Sequence, residues 1–342
     1  MTVQLQFEAA GLMTSVQDLG RFGSQALGIP TSGALDPIAL RIANVLVGNE
    51  ESAAGLELRF LGPRIRVVGG KARVALVGTS TGIEVLEPER RALPSGQSVT
   101  LADGELFRVG AVSDSSCCYL AFAGGFELPA PFGSQSTYPP AALGGFEGRF
   151  LRDGDRVPLS GQLLGEAPER GVELDLSLWG DGPIRVVPGP QDDYFSEDAW
   201  ETFLGSDYEI GQASNRMGLR LAGPELEHTK GYNIPSDGIV TGSIQVPGSG
   251  LPIILLSDRQ TTGGYPKIAS VASVDLPRLG RTRPGARLSF EAIDVETAET
   301  LRREQEVRIR QQIDAIKILP AGAEALQQRL MGSNLISGVI RG

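Results

Sequence analysis

Glycine and proline cut this chain into short apolar runs, and few folds accept that punctuation. "VQLQFEAA", "RIRVV", "RVALVG", "ELFRVG", "CCYLAFAG", "PIRVVPG", "GSIQVPG", "PIILLSD" and "RLSFEAI" nearly all end at Gly, Pro, Asp or Ser. That spacing suits strands joined by tight turns, in barrels or sandwiches, rather than strands alternating with helices. With 45 Gly and 22 Pro, these two residues make up about a fifth of the chain, while aromatics make up 6%. The pattern predicts a mainly β fold. Three segments break it as helices. In "DPIALRIANVLVGN", Asp36 can cap, Pro37 suits the first helical position, and Ile38, Ile42 and Leu46 share a face. "SEDAWETFLG" has Ser196 as cap and Gly205 as stop. The third, from about Asp294 to Ile318, carries a thin stripe of Leu301, Ile309, Ile313 and Ile316, which predicts a largely exposed terminal helix or a docking surface.

A length of 342 residues allows one large or two ordinary domains with a core that needs no disulfide or metal. Residues 159–182 mix Gly, Pro and charge between strand-like regions, and we expect two β-rich units to meet there: residues 1–170, then 171–293, followed by a C-terminal helix and tail over 294–342. The two cysteines, Cys117 and Cys118, are adjacent and read as small core residues in a reduced compartment. With no leader-like segment and no long apolar run, a cytoplasmic location is expected and a membrane partner is not. The net charge of −10 repels phosphate backbones, so nucleic acid is not an expected partner.

"GTSTG" at 78–82 matches a nucleophile-elbow pattern after a strand, but strand and turn follow where a helix is required, and the lone histidine, His228, lies in a charged stretch. A turn is the better reading, with His228 on the surface. No phosphate loop, metal-ligand spacing or biotin-attachment segment occurs, so no metal or cofactor is expected from a motif. What remains are polar residues at strand ends among glycines. "SVQDLGRFG" supplies Gln17, Asp18 and Arg21; "TSGALDP" supplies Ser32 and Asp36; "GQASNRMGLRLAG" supplies Asn215, Arg216 and Arg220. "SDRQTTGGYPKIA" supplies Asp258, Gln260, Thr261, Thr262, Gly263, Gly264, Tyr265 and Lys267. Arg forks recognise carboxylates or phosphates, Gln and Asn complement amides, and a Gly pair lets a ligand approach the backbone. Ordinary turn polarity explains such residues equally well.

"GLMTSVQDLGRFG", "GIPTSGALDPIALRIANVLVGN", "AFAGGF", "GSQSTY", "LGGFEGR", "GPQDDYF", "SNRMGLRL" and "GSIQVPGSGLPIILLSDRQTTGGYPKIA" resemble, in order, the biotin-dependent carboxyltransferase family, also called allophanate hydrolase subunit 2 or KipA. The resemblance runs from about residue 5 to about residue 293. It departs at Gln135, where many relatives carry Arg, and at Asp237, where relatives often carry Glu. The resemblance implies a cyclophilin-like β-barrel in two subdomains and a KipI-like partner that completes the active site. It further implies the C subunit of a hetero-oligomeric, ATP-dependent 5-oxoprolinase, an amide-bond hydrolase converting 5-oxo-L-proline to L-glutamate with a KipI-like and a LamB/YcsF-like partner. ATP is then implied for the complex. The alternatives are carboxyl transfer from carboxybiotin to urea or a related amide, and a KipA-type regulator of a KipI-like kinase inhibitor. On the first reading Arg216 or Lys267 holds anionic groups, Gln17 and Gln260 orient the amide, and Asp258 is base or orienter. Asp18, Arg21, Asn215 and the segment from Thr261 to Tyr265 contact substrate. Asp258, Gln260, Lys267 and Arg216 are then expected to converge on one cleft.

Overall fold

The computed structural model describes residues 2–160 and 168–320. Residues 161–167, inside the expected junction, and 321–342, the end of the expected tail, lie outside the described residues.

The fold is mainly β. A six-stranded sheet runs Arg156–Pro158, Gln4–Ala9, Arg64–Val68, Leu106–Val109, Ile83–Glu87, Arg91–Leu93, and a five-stranded sheet runs Ser15–Gln17, Gly55–Arg59, Cys117–Phe122, Ala72–Val77, Ser98–Leu101. An eight-stranded sheet follows in the order Arg287–Leu288, Tyr208–Ile210, Gly218–Ala222, Ile253–Leu255, Ser243–Gln245, Lys267–Val271, Ile184–Pro188, Phe290–Ala292. Its pairings are antiparallel except the last, where Ile184–Pro188 and Phe290–Ala292 run parallel.

The five-stranded sheet explains why "CCYLAFAG" and "RVALVG" are continuously apolar. Side chains alternate across a strand. Cys118, Leu120 and Phe122 face the core shared with Leu5, Phe7 and Phe107, while Cys117, Tyr119 and Ala121 face a second core that contains Ile184, Ile244 and Ile254 of the eight-stranded sheet. Both cysteines are buried and free.

Helix α1, Pro37–Val47, fills the space between those layers. The Asp36 side chain accepts from the Ile38 and Ala39 N–H groups, Pro37 opens the helix, and Gly48 ends it in the left-handed conformation. Nine of its eleven residues are buried, because it packs on strands Cys117–Phe122 and Ala72–Val77 and is covered by the last helix. Helix α2, Glu197–Gly205, is capped by Ser196; Gly205 is its last residue, and Ser206 terminates it. The short α3, Leu276–Arg281, was not legible as a helix. Helix α4, Val295–Asp314, starts at Asp294 and buries Ile309, with Leu301 and Ile313 only partly covered, and it ends before Ile316. Polar side chains do much of its docking. Arg41 holds both Glu306 oxygens at 2.8 and 2.6 Å, and Gln305 Nε2 donates to the Leu178 and Val274 carbonyls. A thin apolar stripe therefore coexists with a seated helix.

The "GTSTG" segment is a turn: Asp114 accepts from Thr79 Oγ1 at 2.6 Å and from Ser80 N at 2.7 Å, and Ser80 is exposed. His228 is half-buried rather than on the surface, its ring 5.1 Å from that of Phe195 and its Nε2 3.0 Å from the Val246 carbonyl. Among the described residues no helix is long and apolar enough to cross a membrane.

Candidate functional site

The strands that carry "SNRMGLRL" and "PIILLSDRQTTGGYPKIA" lie side by side. Gly218 opposes Leu255, and the ladder continues as Leu256 N to Met217 O and Asp258 N to Arg216 O. That register closes a 42-residue separation: Arg216 Nε reaches Asp258 Oδ2 at 2.8 Å and Nη2 reaches Oδ1 at 3.1 Å. Arg216 Nη1 binds Glu57 Oε1 at 2.6 Å, and Nη2 also donates to the Gly33 carbonyl at 2.7 Å. Glu57 Oε2 accepts from Leu35 N and from the Tyr119 hydroxyl, which itself accepts from Asp36 N. Asp36 Oδ2 takes the Trp179 indole N–H at 2.7 Å. Every member is buried. Burial alone would lower Arg216 and raise Glu57, but opposite charge outweighs it: Asp258 and then Glu57 hold Arg216 above its ordinary range, and Arg216 holds Glu57 below its own. At Asp36 burial wins over Arg281 and the hydrogen bonds, and its pKa is pushed up to about 6.

This chain of bonds corrects one expectation. Arg216 and Asp258 do converge, but in the interior and with each other, not on a cleft. Both Asp258 oxygens are occupied by Arg216, and every Arg216 nitrogen has a partner. Asp258 is also no peripheral strand-end residue, so its replacement strikes folding as well as chemistry.

The loop after the first strands is equally internal. Asp18 accepts from Gly20 N, Gln135 N, Ser134 Oγ and Ser136 Oγ at 2.5–2.8 Å. Gln135 turns inward, its Nε2 donating to the Phe126 and Leu128 carbonyls. Gln17 is fully buried and donates to Ser15 Oγ and the Thr137 carbonyl, which leaves Oε1 unpartnered. Arg21 donates to the Ser136 carbonyl, while Nε and Nη1 have no partner. Burial lowers its pKa, and the charges of Asp18 and Asp258 offset this only in part. Gly144, at φ +68°, is required here: a Cβ would sit 2.1 Å from the Ser136 carbonyl oxygen and 2.7 Å from Arg21 Nη2.

The open site lies beside these groups. A groove of about 450 Å³ is walled by Met217, Leu251, Pro252 and Leu255, with Asn215, Gln245, Ser249, Gln260 and Tyr265 as its uncharged polar lining and Arg220 as its charged one. Asn215, Gln260 and Tyr265 are thus brought together as the sequence suggested. Arg216 and Asp258 stay beneath them. Gln245 was missed, because "GSIQVPG" reads as an ordinary alternating strand. It is 5% exposed and its Nε2 has no partner.

Gln245 stands directly opposite Lys267 across the antiparallel pair, which places the two side chains on one face. Lys267 Nζ bonds Asp237 Oδ2 at 2.9 Å, Gln191 Nε2 reaches the same oxygen at 3.3 Å, and Lys267 N donates to Gln191 Oε1. The hydrogen bond from Lys267, then those from Gly238 N and Gln191, holds the exposed Asp237 carboxyl below its usual range. Thr262–Gly263 pairs with Asp237–Gly238, and the Thr261 carbonyl accepts from Ile239 N. The glycine pair departs from its expected use: a Cβ on Gly263 would lie 2.6 Å from both Gln245 Nε2 and Ile239 Cδ1, so Gly263 makes room for side chains. Gly264 has no close neighbour beyond the Ile234 carbonyl at 3.4 Å.

Residues 27–292 match the family described as carboxyltransferase domain, subdomain A and B. The chain is 36% identical over 302 residues to the C subunit of 5-oxoprolinase from Escherichia coli (strain K12), covering 88% of this chain and 95% of that protein. Among solved structures, that of TTHA0988 superposes with a TM-score of 0.73 at 33% identity, over 84% of this chain. The Kluyveromyces lactis urea amidolyase superposes with a TM-score of 0.81 at 26% identity, over 94%. This chain spans 55% of the TTHA0988 chain and 20% of the amidolyase chain. It belongs to the carboxyltransferase domain, subdomain A and B, family.

Proposed function

We propose that this chain is the C subunit of an ATP-dependent 5-oxoprolinase, which opens the lactam of 5-oxo-L-proline to L-glutamate with a KipI-like partner and a LamB/YcsF-like one. The observation that carries this reading is the 36% identity that spans 95% of the E. coli C subunit. The groove chemistry supports it. The substrate joins a neutral cyclic amide to one carboxylate. Gln245 and Gln260 each offer a donor and an acceptor to an amide edge, Asn215 offers its Nδ2 as a donor, and Arg220 offers one positive charge. Tyr265 and the apolar wall would shield the ring from water, which strengthens each polar contact. Lys267 is not part of the groove lining, but it stands opposite Gln245, and with Asp237 and Gln191 fixing its position it would add positive charge behind that amide as the lactam carbonyl is attacked. Asp258 then acts as orienter: through Arg216 it anchors the loop that carries Asn215 and the one that carries Gln260. No residue of this chain is assigned to ATP.

Co-expression with the neighbouring gene products, purification of the complex and an ATP-dependent glutamate-release assay test the proposal. Turnover by the complex, with the single chain nearly inactive, is the expected result. The superposition on urea amidolyase favours a second reading, carboxyl transfer to an amide with carboxybiotin. A complex that carboxylates urea and releases no glutamate would replace the first reading by the second.

A further inference from the structure

We propose that a second hollow, which adjoins the groove at Asn215, is a binding site for an oxyanion. This cleft of about 440 Å³ lies where the turn after strand Gly55–Arg59 meets the segments 212–215 and 283–284 of the eight-stranded unit. Arg59 and Arg283 line it with Gln212, Ser214 and Asn215, and among the described residues no Asp or Glu does. In a chain of net charge −10 that lining is unusual.

Arg59 carries the argument. It is 5% exposed, its Nε is buried without a partner, and among the described residues it forms no ion pair. The carboxylate whose charge it feels is Glu57, two residues back, and that group is spent: its oxygens take Arg216, Tyr119 and Leu35 N. The other contact of the guanidinium is the Phe60 ring, 5.1 Å away. A buried guanidinium without a dedicated counter-charge is costly. It is retained where a ligand supplies the charge, and the five-donor fork suits carboxylate or phosphoryl oxygens. Arg283, exposed on the opposite wall and anchored through the Ser113 carbonyl, adds a second positive charge. Asn215 belongs to both hollows; its Oδ1 accepts from Met217 N, which leaves Nδ2 as a donor. The cleft takes an oxyanion whatever reaction the groove performs.

Calorimetric titration of the full chain with inorganic phosphate, pyrophosphate and acetate, at constant ionic strength, tests this. At least one should bind saturably, and Arg59→Gln and Arg283→Gln should each weaken it about tenfold or more, the worth of a charge-assisted hydrogen bond. Arg64→Gln, an exposed arginine already paired with Glu8 at 3.2 Å, should leave binding unchanged. Phosphate or pyrophosphate binding more tightly than acetate assigns a phosphoryl ligand, and the reverse assigns a carboxylate. If Arg59→Gln fails to fold, Arg283→Gln decides. No saturable binding of any anion, binding that survives the variants, or equal weakening by Arg64→Gln overturns the assignment.

Discussion

Asn215 and Arg216 are neighbours in sequence with opposite surroundings. Arg216 points inward, where every nitrogen of its guanidinium is bonded to Asp258, Glu57 or the Gly33 carbonyl. Asn215 points outward into a groove where Gln245 Nε2 has no partner and Gln260 is exposed. The first arrangement is complete without any ligand, and the second is not. A saturated polar network holds strands in register, whereas buried groups left unsatisfied mark where something else is meant to bind. An unsatisfied buried group inside the packed interior, such as Arg21, has no room for a ligand, whereas Gln245 and Arg59 each line an open hollow; the buried ion pairs are therefore scaffold, and the carboxamide groove and arginine cleft are sites.

The largest effect should come from breaking the scaffold. Arg216→Met removes the ion-pair partner shared by the buried carboxylates of Asp258 and Glu57, and it should cost about 3–5 kcal/mol of folding stability in denaturant titration. A variant as stable as the parent would mean that the network is not a scaffold. Asp258→Asn should also destabilise, since it leaves Arg216 half-compensated, and any loss of turnover must be read against that.

Next comes the far end of the same network. The Asp36 pKa is pushed up to about 6, above its unfolded value of about 3.9, so between those limits the native state binds more protons than the unfolded state. Stability is therefore lost as pH rises through that window, by up to about 3 kcal/mol from this group, and the cost stays in full above it. Asp36→Asn keeps an oxygen for the helix cap and should flatten the slope between about pH 4 and 6 relative to the parent. Identical slopes in urea titrations of the two proteins would contradict the shift.

The smallest stability effect, and the sharpest contrast, belongs to the groove. Gln245→Leu removes an unpartnered buried amide, so it should be neutral or stabilise by about 1 kcal/mol. In the assembled complex it should lower kcat/KM about 10- to 100-fold.

Much of the scaffold was legible because its signals are local. The Asp36-Pro37 start of α1, the Ser196 cap of α2 and the strands bounded by Gly and Pro depend on neighbouring residues alone. Of Asp258, Gln260, Lys267 and Arg216, which were expected to converge on one cleft, Gln260 alone lines the groove. Three features were hidden for physical reasons. Glu57 sits in "GLELRF", which resembles a half-exposed strand, yet both of its faces are buried and its carboxylate is enclosed by Leu35 N, the Tyr119 hydroxyl and Arg216. Gln245 ends the strand Ser243–Gln245, and its face is set by the register that puts it opposite Lys267, beyond a shift in the pairing after Ile244. The depth of Asp258 follows from a ladder between segments 42 residues apart, and composition carries no information on that pairing.

The most direct measurement joins both halves of the comparison. Gln245→Leu and Arg216→Met are each assembled with the partner proteins and assayed for ATP-dependent conversion of 5-oxoproline, while the unfolding free energy of each chain is measured in parallel. The account predicts that Gln245→Leu loses activity at full stability and Arg216→Met loses activity together with stability. Full turnover by Gln245→Leu, or loss of activity by Arg216→Met in a chain as stable as the parent, would contradict the assignment of groove and scaffold.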